Sequence, residues 1–410
     1  MQGADIAWIL AAFSMVLLMF PGLAMLYGGM LNGRSVLNMM MMVMSSLGIT
    51  AIVYVIVGHG LVMGNSVGSW GLIGNPFEFS FYQEFLHDNG KGGTLFAAFY
   101  ILFAAISVAL VSSGAAGRMR FDAWIVFAPL WVLLVYCPIA HWVFAPSDPA
   151  AGVVGGWMRN TLHLHDFAGG TAVHMNAGAS GLALAMVLGR RATVEHRPHN
   201  LPLMLVGAGL IFMGWMGFNG GTAGGANFLA EYVVMTTLLA LCGGIVAYYL
   251  LERFLRKNAT LAGLATGSIA GMVGITPVAD AVSPMAAIAV GMLAASAAYW
   301  AIDLKRKHKV DDSLDVFAVH GISGIVGALF VVFFGVASAP ANHAGVFFGG
   351  SPDLIWREIV AIVCTLAYSF IATYALAWVM SKCFTLRLSE EEEKAGVDKT
   401  LHREVAYATT

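Results

Sequence analysis

Two histidines in this chain close matching phrases. Asp166 is followed eight residues later by the motif Ala172-Val173-His174-x-x-x-Gly178-x-x-Gly181, counted to its histidine, and Asp312 stands in the same relation to Ala318-Val319-His320-x-x-x-Gly324-x-x-Gly327. A neutral imidazole donates at one ring nitrogen, accepts at the other and titrates near neutrality, so a pair of them suits a proton relay or a polar foothold for a small hydrogen-bonding solute. Both copies are set in apolar sequence. Ionisable groups inside a membrane are costly and mark transport paths, so a pore or site role is the expected reading of the pair.

The elements that must position them follow from composition. Of the 410 residues 59% are apolar and only 11% charged, and the mean hydropathy is +0.78; too little charge is present to cover a soluble surface of that length. Apolar runs long enough to cross a hydrocarbon core of about 30 Å recur from end to end. Eleven are expected, at about 5–30, 38–63, 94–116, 121–144, 166–189, 200–218, 226–252, 260–278, 284–302, 314–336 and 357–380. The runs lack period-2 alternation, and every backbone group in lipid needs an internal partner, so the predicted fold class is an all-α polytopic membrane protein and not a barrel.

Basic residues orient the spans. Of the 21 lysines and arginines, all but Lys91, Arg159 and Arg357 fall in loops of one side or in the tail. An odd number of spans then places the N-terminus outside and the C-terminus in the cytoplasm. With that orientation the first histidine phrase runs inward on the fifth span and the second runs outward on the tenth. The repeat is inverted, so two five-helix halves, about 5–190 and 200–336, are expected about an axis in the membrane plane, with the site where they meet and 357–380 as an added helix. Eight helical residues rise about 12 Å, which sets each histidine near mid-membrane and lets the rings meet. Asp166 and Asp312 stand at helix beginnings, where a carboxylate caps free N–H groups.

Other residue classes give little chemistry. Cys137, Cys242, Cys364 and Cys383 have no Cys-x-x-Cys spacing, which excludes the usual disulfide framework or zinc site. The Met39–Met42 run with Met44 could be drawn as a soft-metal site, but adaptable packing is the expected role. A net charge of −2 gives no sign of nucleic acid. No basic segment with a short apolar stretch opens the chain, so no removable leader is expected. There is no nucleophile constellation, phosphate loop or ligand cluster, and no enzyme, cofactor or metal is proposed.

Further segments carry a resemblance. Phe20-Pro21-Gly22 with Tyr27-Gly28-Gly29, Asp166 to Thr171 leading to His174, Pro198-His199-Asn200-Leu201-Pro202, Gly214-Trp215-Met216-Gly217-Phe218-Asn219, and Val310-Asp311-Asp312 leading to Asp315-Val316-Phe317 and His320 together resemble the Amt/Mep/Rh ammonium transporter family, nearer its Amt branch. The resemblance covers nearly the whole chain. It implies ammonium uptake across the cytoplasmic membrane by a homotrimer with one pore per protomer. It matches Phe103, Phe144 and Thr222 to an outer recruitment site supported by Asp166, Phe103 and Phe218 to a stacked pore gate, and His174, His320 and Trp215 to the pore lining and proton relay. It makes residues 1–385 the transporter domain and 386–410 a cytoplasmic regulatory tail, where Gly396, Asp398, His402, Glu404 and Tyr407 echo a series that in some members meets a PII-type protein.

The chain departs from that pattern in places. The outer run reads His141-Trp142-Val143-Phe144, with phenylalanine where tryptophan is common; Trp157 in the following loop is a candidate substitute. Thr222 stands where serine is commoner, and Gly117 where a glutamate often precedes the arginine, here Arg118. A weaker cation trap keeps open an Rh-like channel for neutral ammonia or another gas. An ammonium sensor without transport, and a bis-histidine haem membrane protein, are the further alternatives.

Overall fold

The computed structural model of the chain describes residues 1–88, 90, 92–192 and 198–407. Lys91 and Arg197, two of the residues used for orientation, lie outside these, as do residues 408–410 of the tail. The chain order is α1 (Gly3–Met30), α2 (Val36–Met63), α3 (Gly93–Ala115), α4 (Phe121–Phe144), α5 (Gly170–Leu188), α6 (Leu201–Thr222), α7 (Phe228–Arg256), α8 (Leu261–Ile275), α9 (Pro284–Lys307), α10 (Phe317–Phe334) and α11 (Asp353–Cys383). Among the described residues ten of these helices, all except α8, are long and apolar enough to cross a membrane. The α8 helix has 15 residues and is shorter than the expected 260–278. It stops before Thr276-Pro277, because Pro277 has no N–H with which to continue the ladder.

Local chemistry fixes where the helices start. Side-chain oxygens of Asn200, Asn227 and Thr260 accept from the backbone N–H groups of Leu203, Ala230 and Gly263 at 2.9, 3.0 and 2.9 Å, satisfying donors that a helix leaves free at its beginning. These caps sit at the N-termini of α6, α7 and α8.

The glycines of the repeated phrase set the spacing of the two central helices. A Cβ on Gly178 of α5 would stand 2.5 Å from the backbone nitrogen of Gly321 on α10, and one on Gly327 would stand 2.2 Å from the carbonyl oxygen of Gly274 on α8. Only a bare Cα permits such approaches, and small residues at crossings let helix backbones close on one another. The His-x-x-x-Gly-x-x-Gly pattern is therefore a crossing device as well as a carrier of imidazole. Seen in this light, the abundance of glycine has a specific use at the α5–α10 contact.

The tail is docked. A short helix, α12 (Glu390–Ala395), is capped by Ser389. Leu388 N–H donates to the Arg118 carbonyl at 2.9 Å, and Arg120 N–H to the Leu386 carbonyl at 2.9 Å. Asp398 accepts from Leu37 and Asn38 N–H at 3.0 and 2.9 Å, so it caps α2 from the far end of the sequence. Tyr407 hydroxyl is 3.1 Å from both Asn200 Nδ2 and His199 Nε2. The tail thus ties the beginnings of α2, α4 and α6 together.

Candidate functional site

Asp166 is where the site begins. Its Oδ1 accepts from Gly169 and Gly170 N–H at 2.9 and 2.7 Å, and its Oδ2 from Thr171 and Ala172 N–H at 2.8 and 3.4 Å. The expected helical rise between Asp166 and His174 is not realised. Residues 166–169 form the capping turn, with Gly169 at φ 104°, and α5 starts at Gly170. Its first stretch, Gly170–Met175, is wound as a wide π-type turn, as is Phe317–Ile322 at the start of α10. Such turns widen the helix and re-aim a side chain, and each of these two carries a histidine.

Asp312 repeats the capping role more weakly. Its Oδ2 accepts from Phe317 N–H at 3.1 Å, while its Oδ1 is buried without a partner. The Lys305 ammonium bonds the Asp312 carbonyl and the Asp315 carboxylate.

The two imidazoles meet. His174 Nδ1 and His320 Nδ1 are 3.2 Å apart, so one nitrogen donates and the other accepts, and both side chains are buried. The ring of Trp215 lies over His174 at a centroid distance of 5.1 Å and 17°. Its Nε1 donates to Thr276 Oγ1 at 2.8 Å. That hydroxyl in turn donates to the Met272 carbonyl at 2.7 Å, which fixes its lone pairs toward the indole.

Around the pair lies a narrow apolar space walled by Leu23, Ile106, Leu110, Ile211, Phe218 and Ile269 with the two imidazoles and Trp215. A second narrow space shares His320, Leu26 and Ile269 with the first and is also lined by Tyr27, Thr266 and Asp315. His320 therefore borders both spaces, and the second is the more polar, with Tyr27, Thr266 and Asp315 in its wall. On the other side the rings of Phe103 and Phe218 are stacked at 4.0 Å and 12°, and Phe144 meets Phe103 edge-on at 6.3 Å and 83°.

Each sequence-predicted residue can be placed. Phe103, Phe144 and Phe218 form one aromatic group. Thr222 hydroxyl donates to the Phe218 carbonyl at 2.8 Å, one turn beyond the stacked pair. Asp166 spends its oxygens on backbone N–H groups and makes no other hydrogen bond among the described residues. Trp157 packs on Trp142, at 5.9 Å, and does not supply the missing outer indole. Two residues escaped the sequence reading: Thr276, which anchors Trp215, and Tyr100, whose ring lies 6.3 Å from Phe103 and 6.4 Å from Phe144. A helical spacing from Phe103 could have flagged Tyr100; nothing in the sequence pairs Thr276 with Trp215.

The geometry disfavours haem. Axial ligation at about 2 Å per bond needs ring nitrogens roughly 4 Å apart with a porphyrin between them. Here the two rings touch through Nδ1 with centroids 5.3 Å apart, which leaves no slot for a porphyrin between them, and His174 is stacked against Trp215.

Fold and site define a multi-pass helical membrane protein with two touching imidazoles beneath an aromatic cap. The profile of the Ammonium Transporter Family matches residues 7–407. An ammonium transporter of Corynebacterium glutamicum is 62% identical over 407 residues, covering 99% of this chain and 90% of that protein, and one of Bacillus subtilis is 39% identical over 415 residues, covering 99% of each. Among solved structures, Saccharomyces cerevisiae Mep2 superposes with a TM-score of 0.85 at 30% identity, covering 95% of this chain and 88% of that one. A structure titled Sensor Amt Protein gives 0.86 at 26%, covering 96% of each. The chain belongs to the ammonium transporter family, and ammonium transport is the activity this membership supports.

Proposed function

We propose that the chain takes up ammonium across the cytoplasmic membrane through eleven spans, α8 included, with the N-terminus outside and the tail in the cytoplasm. Ammonium is recruited at Phe103, Phe144 and Thr222 under the field of Asp166, gives up its proton, and passes the Phe103–Phe218 gate as ammonia to His174 and His320. The observation that carries this reading is the imidazole contact beneath the stacked phenylalanines, in walls that are otherwise apolar.

Energetics decide the species that crosses. A bare ion in a narrow apolar lumen incurs an idealised Born cost of tens of kcal/mol, whereas ammonia loses hydrogen bonds worth roughly a few. Aromatic faces attract a cation by about 0.5–2 kcal/mol each, enough for capture and not for passage. Separate travel of proton and ammonia, with the imidazoles as relay, moves net ammonium and responds to membrane potential. Potassium has no proton to release and is rejected.

The two five-helix halves, about 5–190 and 200–336, form an inverted pair, with α11 added; residues 1–385 are the transporter domain and 386–410 the regulatory tail. The assembly is a homotrimer in lipid, and the docked tail offers a face to a PII-type protein. A second reading has one specific support. Arg159 donates to the Phe144 carbonyl at 3.0 Å, setting a fixed cation behind the outer ring, which favours a neutral gas.

The test uses purified protein in liposomes on a solid-supported membrane, with an internal pH dye. An inward current on an ammonium pulse, with none on a potassium pulse, supports net ammonium transport. An internal pH rise without current establishes the neutral pathway instead.

A further inference from the structure

His165 stands one residue before the Asp166 cap, outside α5, and the mechanism above does not use it. Its Nε2 is 3.0 Å from Asp280 Oδ1. Its backbone N–H donates to Glu358 Oε1 at 2.9 Å. The His343 ring stacks on it at 5.9 Å and 24°. These four side chains come from four segments: the approach to α5, the turn after α8, the loop after α10 and the first turns of α11. Glu358 is fully buried with its Oε2 unpartnered, and His343 Nε2 is likewise buried and unpartnered.

The pair joins two segments that both build the pore wall. Phe167 and Ala168 N–H donate to the carbonyls of Pro277 and Thr276 at 3.0 and 3.2 Å, so the capping turn of α5 runs against the turn after α8. The first segment carries Asp166 and, through α5, His174. The second carries Thr276, which holds Trp215, and Trp215 lies flat on His174. The His165–Asp280 contact pins these segments from their outer edge.

We propose that His165 and Asp280 form a proton-dependent clasp that positions His174 and Trp215, so that acidity at the outer face sets how well the pore conducts. The proposal rests on the reading of His174 and Trp215 as pore residues. His165 is a positioning residue, since it touches neither gate nor lumen.

Charge around the ring is consistent with this. Burial would push the His165 imidazole down, but the carboxylates of Asp280, Glu358 and Asp166 outweigh it and hold the ring above its ordinary value. His343 is pushed down by its own burial and by His165, and stays neutral. Arg357, beside Glu358, is turned to Asp353. Among the described residues the His165 imidazolium is therefore the cation paired with Asp280. A raised value means the clasp is complete at and below the ordinary imidazole value of 6.5 and is lost as pH rises through the raised one. Asp280 is then left as a buried carboxylate without its counter-ion, which is costly.

The experiment reads maximum current and KM against outer pH, at constant ammonium-ion concentration, for the intact protein, His165→Gln and Asp280→Asn. The glutamine amide keeps a donor toward Asp280 and carries no charge. In the intact protein, maximum current is expected to fall several-fold through one inflection above the ordinary imidazole value, with KM little changed. Asp280→Asn moves that inflection to lower pH, and His165→Gln shows a low, flat profile. Superimposable profiles for intact protein and His165→Gln, or an inflection unmoved by Asp280→Asn, would overturn the proposal. Thermal unfolding of the solubilised proteins gives an independent reading: stability falls through the same pH window in the intact protein and not in Asp280→Asn. Absence of ammonium current at every pH would overturn the transport reading and the positioning role with it, while the unfolding curves would still decide whether the proton-dependent contact exists.

Discussion

Asp166→Asn and Asp312→Asn are the same change at matching places in the repeat, and they should have unequal effects. Asp166 satisfies four backbone N–H groups with its two oxygens. An asparagine has one acceptor oxygen, and its amide nitrogen faces the other pair of donors, so two buried N–H groups lose their partner. At about 1–3 kcal/mol for each unsatisfied donor the turn loses about 2–6 kcal/mol. Those donors begin the π-type turn that carries His174. If only about 1.4 kcal/mol of that loss is expressed as a misplaced imidazole, transport falls about tenfold. Asp312 accepts from Phe317 N–H at 3.1 Å through Oδ2, and its Oδ1 has no partner; an asparagine oxygen keeps that bond, at a cost of about 1 kcal/mol or less. Ammonium currents in liposomes and thermal unfolding of the solubilised variants measure both effects. Equal losses in the two variants, or a larger loss in Asp312→Asn, would refute the reasoning.

Three further outcomes are expected. Trp215→Phe removes the bond to Thr276 while that hydroxyl keeps Met272, so the maximum ammonium current should fall, by about tenfold at most for one neutral hydrogen bond, with potassium still excluded; an unchanged current would mean that indole anchoring is idle. Asp398→Ala strips the N–H groups of Leu37 and Asn38 of their cap, about 0.5–2 kcal/mol, and should expose the tail beyond Leu386 to limited proteolysis; a tail that stays protected would contradict the docking role. Burial opposes ionisation of Asp311, but the bonds from Arg191 and the charge of Arg118 hold its carboxyl at about 2, below the ordinary 3.8. A depressed value contributes stability above the ordinary pKa that is lost as pH falls through the lower one, so Asp311→Asn should destabilise the protein at neutral pH, and its deficit should shrink between pH 3.8 and 2 in pH-dependent unfolding curves.

The ten long apolar helices among the described residues were readable in the sequence because lipid imposes length and hydropathy on a span. The histidine pair was readable because its phrase occurs twice. What escaped depends on geometry that no single period encodes. The cap at Asp166 was legible from its place at a helix beginning, but the wide turns at Gly170–Met175 and Phe317–Ile322 insert residues without changing composition, so the departure from an eight-residue helical rise to His174 was not. The length of α8 is set by one proline, whose effect a hydropathy window averages away. Thr276 and Trp215 lie 61 residues apart, and His165 and Asp280 lie 115 apart; such side-chain pairings follow from how the helices cross. Those crossings were half legible, since Gly178 and Gly327 appear in the repeat but their partners do not.

The central claim is that His174 and His320 act together as the polar and proton-bearing step of the pore. The most direct measurement compares the intact protein with a His174→Ala, His320→Ala double variant, incorporated equally in liposomes, under ammonium and then potassium pulses. The intact protein is expected to give an ammonium current without a potassium current, and the variant to lose that current or its selectivity. An ammonium current of undiminished size and selectivity in the double variant would contradict it.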